Sequence, residues 1–429
     1  MELKDMLSYA IERLKKKGID KIQGIIGESE KKELQVETGK KISLFRTTFQ
    51  NYLNLYGIKD NKRSSISINK IDKESIDISI EKLVKNIKTS EIDESNSIAD
   101  KQSYEEFTTP SLDPDLDTMY NRLDEFNDYV NQEHKTIILE AATLDHIKSN
   151  SHLMNSNGLD FLVNKGSYNC AAMFTAKDKS RTSSFNYSGY SASNLKLQIK
   201  DRAYLSELLH QSNEQLNITN LDNKFTGKIL VTPHCLPDFL SFIEYSIGDG
   251  GIISGNSIYQ DKVNKVIANK KFSLSSLPLS NKIDCGYSID SDGYKAQNLD
   301  IIKDGVLKSL ILSQYAAHKT NRARVSNDGG CHMVLKGTKS FQEMIKDIDH
   351  GILLCRFSGG SPSDNGDFSG VAKNSYYIEN GEIKHPVSET MISGNIAQMF
   401  MNIGDISNET IDFGDEVLPW ISFDGITVS

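Results

Sequence analysis

The sequence predicts an α+β protein in which an N-terminal antiparallel sheet with packed helices precedes a largely antiparallel C-terminal β domain. In the C-terminal half, Asp304-Gly305 and Asn380-Gly381 each lie between two runs of β-prone residues. Both dipeptides supply the two positive φ angles of a type I′ turn, so each one marks a hairpin of two antiparallel strands. Near the N-terminus, short β-prone runs alternate with glycines and polar turns, which predicts an antiparallel meander.

The first predicted element is an amphipathic helix. It ends in the cationic turn Lys15-Lys16-Lys17 followed by Gly18, which is a typical helix stop. Apolar residues recur before that stop at helical spacing, at Leu3, Met6, Leu7, Ala10, Ile11 and Leu14.

Short strands are predicted next, interrupted at Gly27 and Gly39, over residues 19–26, 33–38, 41–46 and 52–58. The remaining first half predicts a strand at 64–68, a helix at 73–87, a loop or connector at 89–117, a helix at 116–132, a strand at 135–146, a turn at 155–158, strands within 161–189 and a helix at 201–216. Beyond these, the C-terminal half is dominated by strands and has predicted helices at 341–348 and 395–403.

The length predicts two domains. A chain of 429 residues is too long for one small core. The polar segment at 217–226 is the best candidate for the junction, so we expect an N-terminal α/β domain over 1–222 and a C-terminal β-rich domain over 223–429.

Charge and cysteine content exclude several classes of protein. The net charge is −9, and no dense Lys/Arg block is set among aromatic residues, which argues against direct binding to nucleic acid. No run of 18 apolar residues predicts a membrane-spanning helix. The five cysteines include no Cys-x-x-Cys pair, so they predict neither a disulfide framework nor a zinc ribbon. These features are typical of a soluble, cytoplasmic protein.

The histidines do not have the spacing of a zinc-hydrolase helix, which places two of them one turn apart beside a glutamate. His146 and His152 are the nearest pair, and they lack an adjacent glutamate. His234-Cys235 and Cys331-His332 could each hold a soft metal with distant partners. Burial of the cysteine as a small apolar residue is the favoured explanation of both pairs.

Arg322 and Arg324 form a compact cationic loop before Asp328-Gly329-Gly330. Such a loop could bind the carboxylate of a peptide, but a solvated loop or an ion pair with the abundant acidic residues is the favoured explanation. Asp290 and Asp292 flank the first predicted hairpin, and aspartate is favoured there because its side chain stabilises turns. Residue chemistry by itself therefore predicts no catalytic site.

The C-terminal motifs resemble those of the TldD/PmbA family, whose members have been called modulators of DNA gyrase and are regarded as peptidase subunits. The resemblance covers nearly the whole chain and is strongest in its C-terminal third. The matching segments are Asp292-Gly293 through Leu312, Asn321-Arg322-Ala323-Arg324, Gly366-Asp367-Phe368-Ser369-Gly370, Tyr377-Ile378-Glu379-Asn380-Gly381-Glu382-Ile383, Pro386-Val387, Ile392-Ser393-Gly394-Asn395 and, more faintly, Asn155-Ser156-Asn157-Gly158.

One branch of this family carries His-Glu-x-x-x-His on a helix and binds zinc there. The corresponding stretch here, residues 231–244, has one histidine and no second ligand, so the chain is similar to the PmbA (TldE) branch without the motif. The resemblance therefore implies no cofactor in this chain, with zinc expected in a partner subunit.

The resemblance implies a dimer, formed with a TldD-like zinc-bearing subunit or with itself, that binds extended peptides for proteolysis or peptide maturation. No catalytic residue is predicted in this chain. A non-catalytic homodimeric regulator that binds peptides or proteins, a regulator of gyrase, and an activity that uses Cys331 or His332 remain alternatives. The candidates for the peptide cleft are Arg322, Arg324, Gly366, Asp367, Phe368 and Ser369.

Overall fold

The computed structural model describes residues 2–37, 41–221 and 223–429. Within these ranges it contains helices and two sheets whose neighbouring strands are mostly antiparallel, so the predicted α+β class is confirmed. No helix in these three ranges is both long and apolar enough to span a bilayer.

The N-terminal part forms one sheet covered by helices. Its elements are α1 (Leu3–Lys16), β1 (Lys21–Val36), β2 (Ile42–Lys59), β3 (Lys62–Ile68), α2 (Lys73–Thr89), β4 (Glu105–Thr108), α3 (Leu116–Glu133), β5 (Ile137–Asn155), β6 (Asp160–Asp178), β7 (Arg181–Thr182), β8 (Asn186–Ala192) and α4 (Leu205–Glu214), with 3₁₀ turns at Ile199–Asp201 and Gln215–Asn217.

The strands of this sheet are ordered β3-β2-β1-β5-β6-β4, and β7 and β8 also pair with β6. Only the pairing of β4 with β6 is parallel among these described strands. The helices α1 and α2 bury their apolar faces against Ile22, Ile26 and Leu53. The helix α3 packs over Leu34 and Leu144, farther along the sheet.

The prediction of short strands around Gly27 was wrong. β1 and β2 are long, and they stay in one register from Lys21 opposite Ile58 to Gln35 opposite Leu44. β1 continues through Gly27, which lies opposite Tyr52 of β2. The ring of Tyr52 occupies the space that a side chain at residue 27 would need, so only glycine fits there without a shift of that ring. The predicted break at Gly39 lies outside the described residues.

The connector at 89–117 was also predicted incorrectly in part, because Glu105–Thr108 forms β4. The predicted helices at 73–87 and 116–132 are confirmed as α2 and α3. The fourth helix of this half, α4, begins later than predicted, at Leu205, since residues 199–201 form a separate 3₁₀ turn.

The C-terminal part forms the second sheet. Its elements are β9 (Phe225–Val231), α5 (Leu236–Ile247), α6 (Asp249–Ser254), β10 (Leu274–Ser276), β11 (Leu299–Lys303), β12 (Val306–Leu307), α7 (Gln314–Thr320), β13 (His332–Val334), α8 (Phe341–Lys346), β14 (His350–Leu354), β15 (Arg356–Gly359), β16 (Asp367–Lys373), β17 (Tyr376–Glu379), β18 (Glu382–Pro386), β19 (Thr390–Asn395), α9 (Ile396–Met401), β20 (Ile403–Asp412) and β21 (Val417–Val428).

The main path of this sheet is β12-β11-β10-β13-β21-β9-β14-β17-β18, and β15, β16, β19 and β20 extend it through β21. Both predicted hairpins are confirmed. φ is 48° at Asp304 and 77° at Gly305, and it is 52° at Asn380 and 75° at Gly381. These are the left-handed angles that a type I′ turn requires.

Hydrogen bonds to backbone carbonyls join the N-terminal sheet to loops of the C-terminal part. Gln23 of β1 donates from its side-chain nitrogen to the carbonyl of Asp292 at 2.8 Å. The amide of Ser191 in β8 donates to the carbonyl of Phe413 at 2.9 Å. The proposed boundary at residue 222 stays a prediction, because that residue lies outside the described ranges.

Candidate functional site

A cavity of about 390 Å³ opens in the C-terminal part of the molecule. It lies between the C-terminal end of α5 and the loops around 291–292, 311–313 and 325–330. Carboxylates dominate its polar lining, which includes Glu244, Asp249, Asp292 and Asp328. The site is therefore acidic.

The helix α5 carries Glu244 into this cavity. Pro237 lies in its first turn, where proline is favoured because the amide there has no partner within the helix. The apolar side of α5, including Phe239 and Ile243, is buried in the core of the C-terminal sheet. Glu244 is thus a charged residue in the last turn of a largely buried helix.

His332 is held between two carboxylates next to the cavity. Its Nε2 lies 2.5 Å from Oε1 of Glu244, and its Nδ1 lies 2.9 Å from Oε1 of Glu416. Burial favours neutral imidazole, but the two carboxylates outweigh burial and raise the pKa of His332 to about 9. At neutral pH His332 is therefore an imidazolium cation.

Arg324, like His332, lies between two carboxylates, and one of them is the cavity residue Asp292. Its guanidinium forms ion pairs with Asp290 and, at 3.1 Å, with Asp292, and it donates to Oγ of Ser326 at 2.8 Å. The same group lies 3.9 Å above the ring centre of Tyr294. Burial raises the pKa of Asp290, and Arg324 opposes that shift. The sequence-based interpretation of Arg324 as an ion-pair partner is therefore supported.

The other predicted cleft residues lie elsewhere. Arg322 donates to the carbonyl of Gln260 at 2.7 Å and forms an ion pair with Asp261 at 3.1 Å. Among the residues that line the cavity beside Glu244, none belongs to the segment from Gly366 to Ser369. Their role in binding a peptide stays a prediction.

The segment from Gly366 to Ser369 begins β16. Gly366 has a φ of 93°, which suits glycine. The side chain of Asp367 accepts hydrogen bonds from Asn395 at 2.9 Å and Asn365 at 3.0 Å, which lower its pKa. Phe368 is buried and lines a second groove, of about 370 Å³, between α5 and the loop after β15.

The donors near the first cavity do not fit a zinc ion. A histidine ligand needs a ring nitrogen that can face the metal, and both ring nitrogens of His332 are in contact with carboxylates. Burial raises the pKa of the Cys331 thiol to about 11, so thiolate is scarce at neutral pH. In the part of the chain that the structure describes, no group of three or more His, Cys, Asp or Glu side chains could hold a metal ion.

The second Cys/His pair, His234-Cys235, fits a structural role better than a metal site. Nε2 of His234 lies 3.0 Å from the carbonyl of Ala203 and 3.0 Å from Oγ of Ser188. Burial lowers the pKa of His234 to about 3 and raises the pKa of Cys235. Both side chains are therefore neutral and buried.

Sequence reasoning missed Glu244 and Glu416 as partners of His332. Glu416 is 84 positions from His332, and no local motif links the two. One signal was available: Glu244 is a charge near the end of an apolar helical stretch, and such a residue requires a partner when its helix is buried.

Residues 225–429 match the family model described as the PmbA/TldA metallopeptidase C-terminal domain. The metalloprotease PmbA of Escherichia coli O157:H7 is 31% identical over 189 residues, which are 41% of this chain and 42% of that protein. A PmbA homologue of Buchnera aphidicola (subsp. Baizongia pistaciae) is 28% identical over 48% of this chain and 49% of its own length. The aligned region thus spans less than half the length of these relatives.

Solved structures show the same fold over the whole chain. TldE from Thermococcus kodakarensis superimposes with a TM-score of 0.87 at 18% identity, covering 99% of this chain and 100% of its own. A Bacteroides thetaiotaomicron protein described as a candidate modulator of DNA gyrase gives a TM-score of 0.88 at 19% identity, with 99% and 98% covered. At such identities the likeness establishes the fold alone.

Proposed function

The chain belongs to the PmbA/TldD family of metalloprotease-related proteins, and from this premise we propose that it is a metal-free subunit that binds extended peptides for a zinc-bearing partner. The cofactor would belong to the partner, and this chain would supply binding surface.

The observation that carries the proposal is the contact of His332 with Glu244 and Glu416 at the cavity wall. A peptidase zinc site needs neutral histidines around an open coordination position. Here the histidine beside the cavity is a cation whose two nitrogens face carboxylates. This arrangement suits a structural ion pair and not a metal ligand.

The groove beside Phe368 supports the peptide-binding half of the proposal. β15 pairs with β16 on one side, and no described strand pairs with its other edge. Phe239 and Phe357 supply apolar lining of the groove, which Ser358 and Gly359 of β15 also line. An extended peptide can add to such an edge through its main chain, with little demand on its sequence. The candidates Gly366, Asp367, Phe368 and Ser369 would then act by shaping this groove.

The decisive experiment measures native mass, zinc content and peptide cleavage for the purified chain, alone and co-expressed with a family member that carries the zinc motif. We expect no stoichiometric zinc and no cleavage for the chain alone, and cleavage when the two are mixed. One zinc ion per chain together with cleavage by the chain alone would overturn the proposal. A stable homodimer that never supports cleavage would favour the homodimeric regulator.

Binding to the groove is tested separately with a fluorescein-labelled peptide rich in Gly, Ser and Ala. Ser241→Trp places a bulky ring in the groove, because Ser241 lines it. Asn256→Trp is the matched control, since Asn256 is exposed in the loop after α6 and does not line the groove. We expect weaker fluorescence polarisation for the first variant only.

A further inference from the structure

Of the described residues that line the groove beside Phe368, Asp238 alone is charged. It lies in the first turn of α5, and its side chain is exposed. Within the described ranges its carboxylate forms no ion pair and accepts one weak hydrogen bond, from Sγ of Cys235 at 3.9 Å. An exposed carboxylate without a counter-ion at the wall of a groove can pair with a cation of a ligand.

Arg356, the first residue of β15, does not neutralise Asp238, because its guanidinium is bound elsewhere. It donates to Oδ1 of Asn186 at 3.2 Å and to the carbonyl oxygen of Tyr187. It also lies 3.8 Å from the centre of the Tyr187 ring. Arg356 therefore contacts β8 of the N-terminal sheet and leaves the charge of Asp238 unpaired.

The segments that border the groove are negative as a whole. The helix α5 and residues 357–367 contain no Lys, Arg or His, and their acidic residues are Asp238, Glu244, Asp364 and Asp367. Among the described residues, only Glu244 of these four has a cationic partner, His332. A surface of one sign of charge attracts ligands of the opposite sign and disfavours those of its own.

Three phenylalanine rings pack together in the lining of the same groove. Phe239 lies 5.5 Å from Phe357 and 5.4 Å from Phe368 between ring centres, and Phe357 lies 5.7 Å from Phe368. Phe357 is partly exposed, and a side chain at Gly359 or Gly370 would collide with its ring. The groove thus offers an aromatic surface together with an unpaired carboxylate.

A basic side chain matches both features of the groove. Lysine and arginine lay an apolar stem along apolar surface and keep the cationic head at its polar margin. The face of an aromatic ring also attracts a cation. The amino terminus of a peptide has the charge but lacks the stem, so the side chain is the better match.

We propose that the groove beside Phe368 selects peptides that carry a lysine or arginine side chain, with the stem on Phe357 and the head paired with Asp238. This inference rests on the peptide groove of the proposed function and specifies which peptides the groove prefers. Asp238 is then the residue that determines specificity.

The test compares two peptides of Gly, Ser and Ala that differ only in the central residue, which is lysine or norleucine. Norleucine keeps the apolar stem and lacks the ammonium group. Both peptides carry fluorescein at the N-terminus, so neither has a free amino terminus. We expect fluorescence polarisation to show about tenfold tighter binding of the lysine peptide to the native chain. Asp238→Asn should make the two dissociation constants equal and leave that of the norleucine peptide unchanged.

Asp364→Asn is the matched control, because it removes the same charge from an exposed loop residue that does not line the groove. It should keep the preference for lysine, and loss of the preference in both variants would overturn the assignment to Asp238. Asp238 also lies where a negative charge stabilises the N-terminus of a helix. A purely structural role predicts that Asp238→Asn lowers the melting temperature and keeps the lysine preference, which would equally contradict the proposal.

Failure of this inference and failure of the proposed function give different results. If the native chain binds both peptides equally and Ser241→Trp weakens both, the groove binds peptides without selecting basic ones, and this inference alone is overturned. If the native chain binds neither peptide, both proposals fail.

A second measurement needs no variant. Raising the salt concentration should reduce the lysine preference of the native chain, because salt screens an exposed ion pair, and should change binding of the norleucine peptide little. A lysine preference that does not depend on salt would contradict an ion pair with Asp238.

Discussion

His332 and Arg324 are both cations held between two carboxylates, and they differ in whether the cation can lose its proton. His332 touches Glu244 and Glu416, and its raised pKa of about 9 is still within reach of titration. Arg324 pairs with Asp290 and Asp292, and a guanidinium stays charged at any pH at which the protein folds. The comparison teaches that two similar ion-pair clusters near one cavity respond differently to pH.

The largest expected effect is that of Arg324→Ala. This substitution leaves the buried carboxylate of Asp290 without its cation, so we expect a loss of about 3–5 kcal/mol in the free energy of unfolding, measured with urea. Arg322→Ala is the control, because Asp261 is exposed and an exposed ion pair contributes about 0–1 kcal/mol. Equal losses for both variants would show that burial of Asp290 does not decide the effect.

The substitution His332→Gln tests whether the stability that the His332 ion pairs contribute depends on pH. The pKa of His332 is raised in the folded state, so its stabilising effect is complete below the unfolded pKa of about 6.5 and is lost as pH rises through about 9. The stability difference between the native chain and this variant should therefore shrink by about 3 kcal/mol across that range. Arg324 keeps its charge over the same range, so the difference between the native chain and Arg324→Ala should not shrink. A pH-independent gap for His332→Gln would show that His332 is not protonated.

The smallest effect concerns the ring beneath Arg324. Tyr294→Leu removes the cation–π contact and the hydroxyl, whereas Tyr294→Phe removes only the hydroxyl, which bonds Asp100 at 3.0 Å. We expect the leucine variant to be less stable than the phenylalanine variant by about 0.5–1 kcal/mol in thermal unfolding. Equal stabilities would mean that the carboxylates alone hold Arg324.

Features with local causes were predictable from the sequence. Asn380-Gly381 and Asp304-Gly305 determine their own turns, because few other residues adopt two successive positive φ angles. The helix α1 was equally clear, since its apolar positions repeat at helical spacing and are buried. In these places the local pattern and the tertiary structure agree.

Features with distant causes were not predictable. Gly27 looks like a strand break, but the ring of Tyr52 on the neighbouring strand explains why glycine is needed there. The exposed part of β2 has no buried face, so it lacks the alternation that identifies a strand. The contact of His332 with Glu244 joins residues 88 positions apart, since 332 − 244 = 88, and only the folded sheet brings them together.

The position of β21 in the chain has a consequence for folding during synthesis. This strand pairs with β9, β13, β19 and β20, all of which precede it. Ile421 of β21 lies opposite Val231 of β9, which is 190 residues earlier in the chain (421 − 231). The antiparallel neighbour of β9 is therefore synthesised only after these further residues. At ribosomal rates of about 5–20 residues per second, that delay is about 10–40 seconds. The N-terminal sheet can form during this time, while the apolar strand β9 still lacks its antiparallel neighbour.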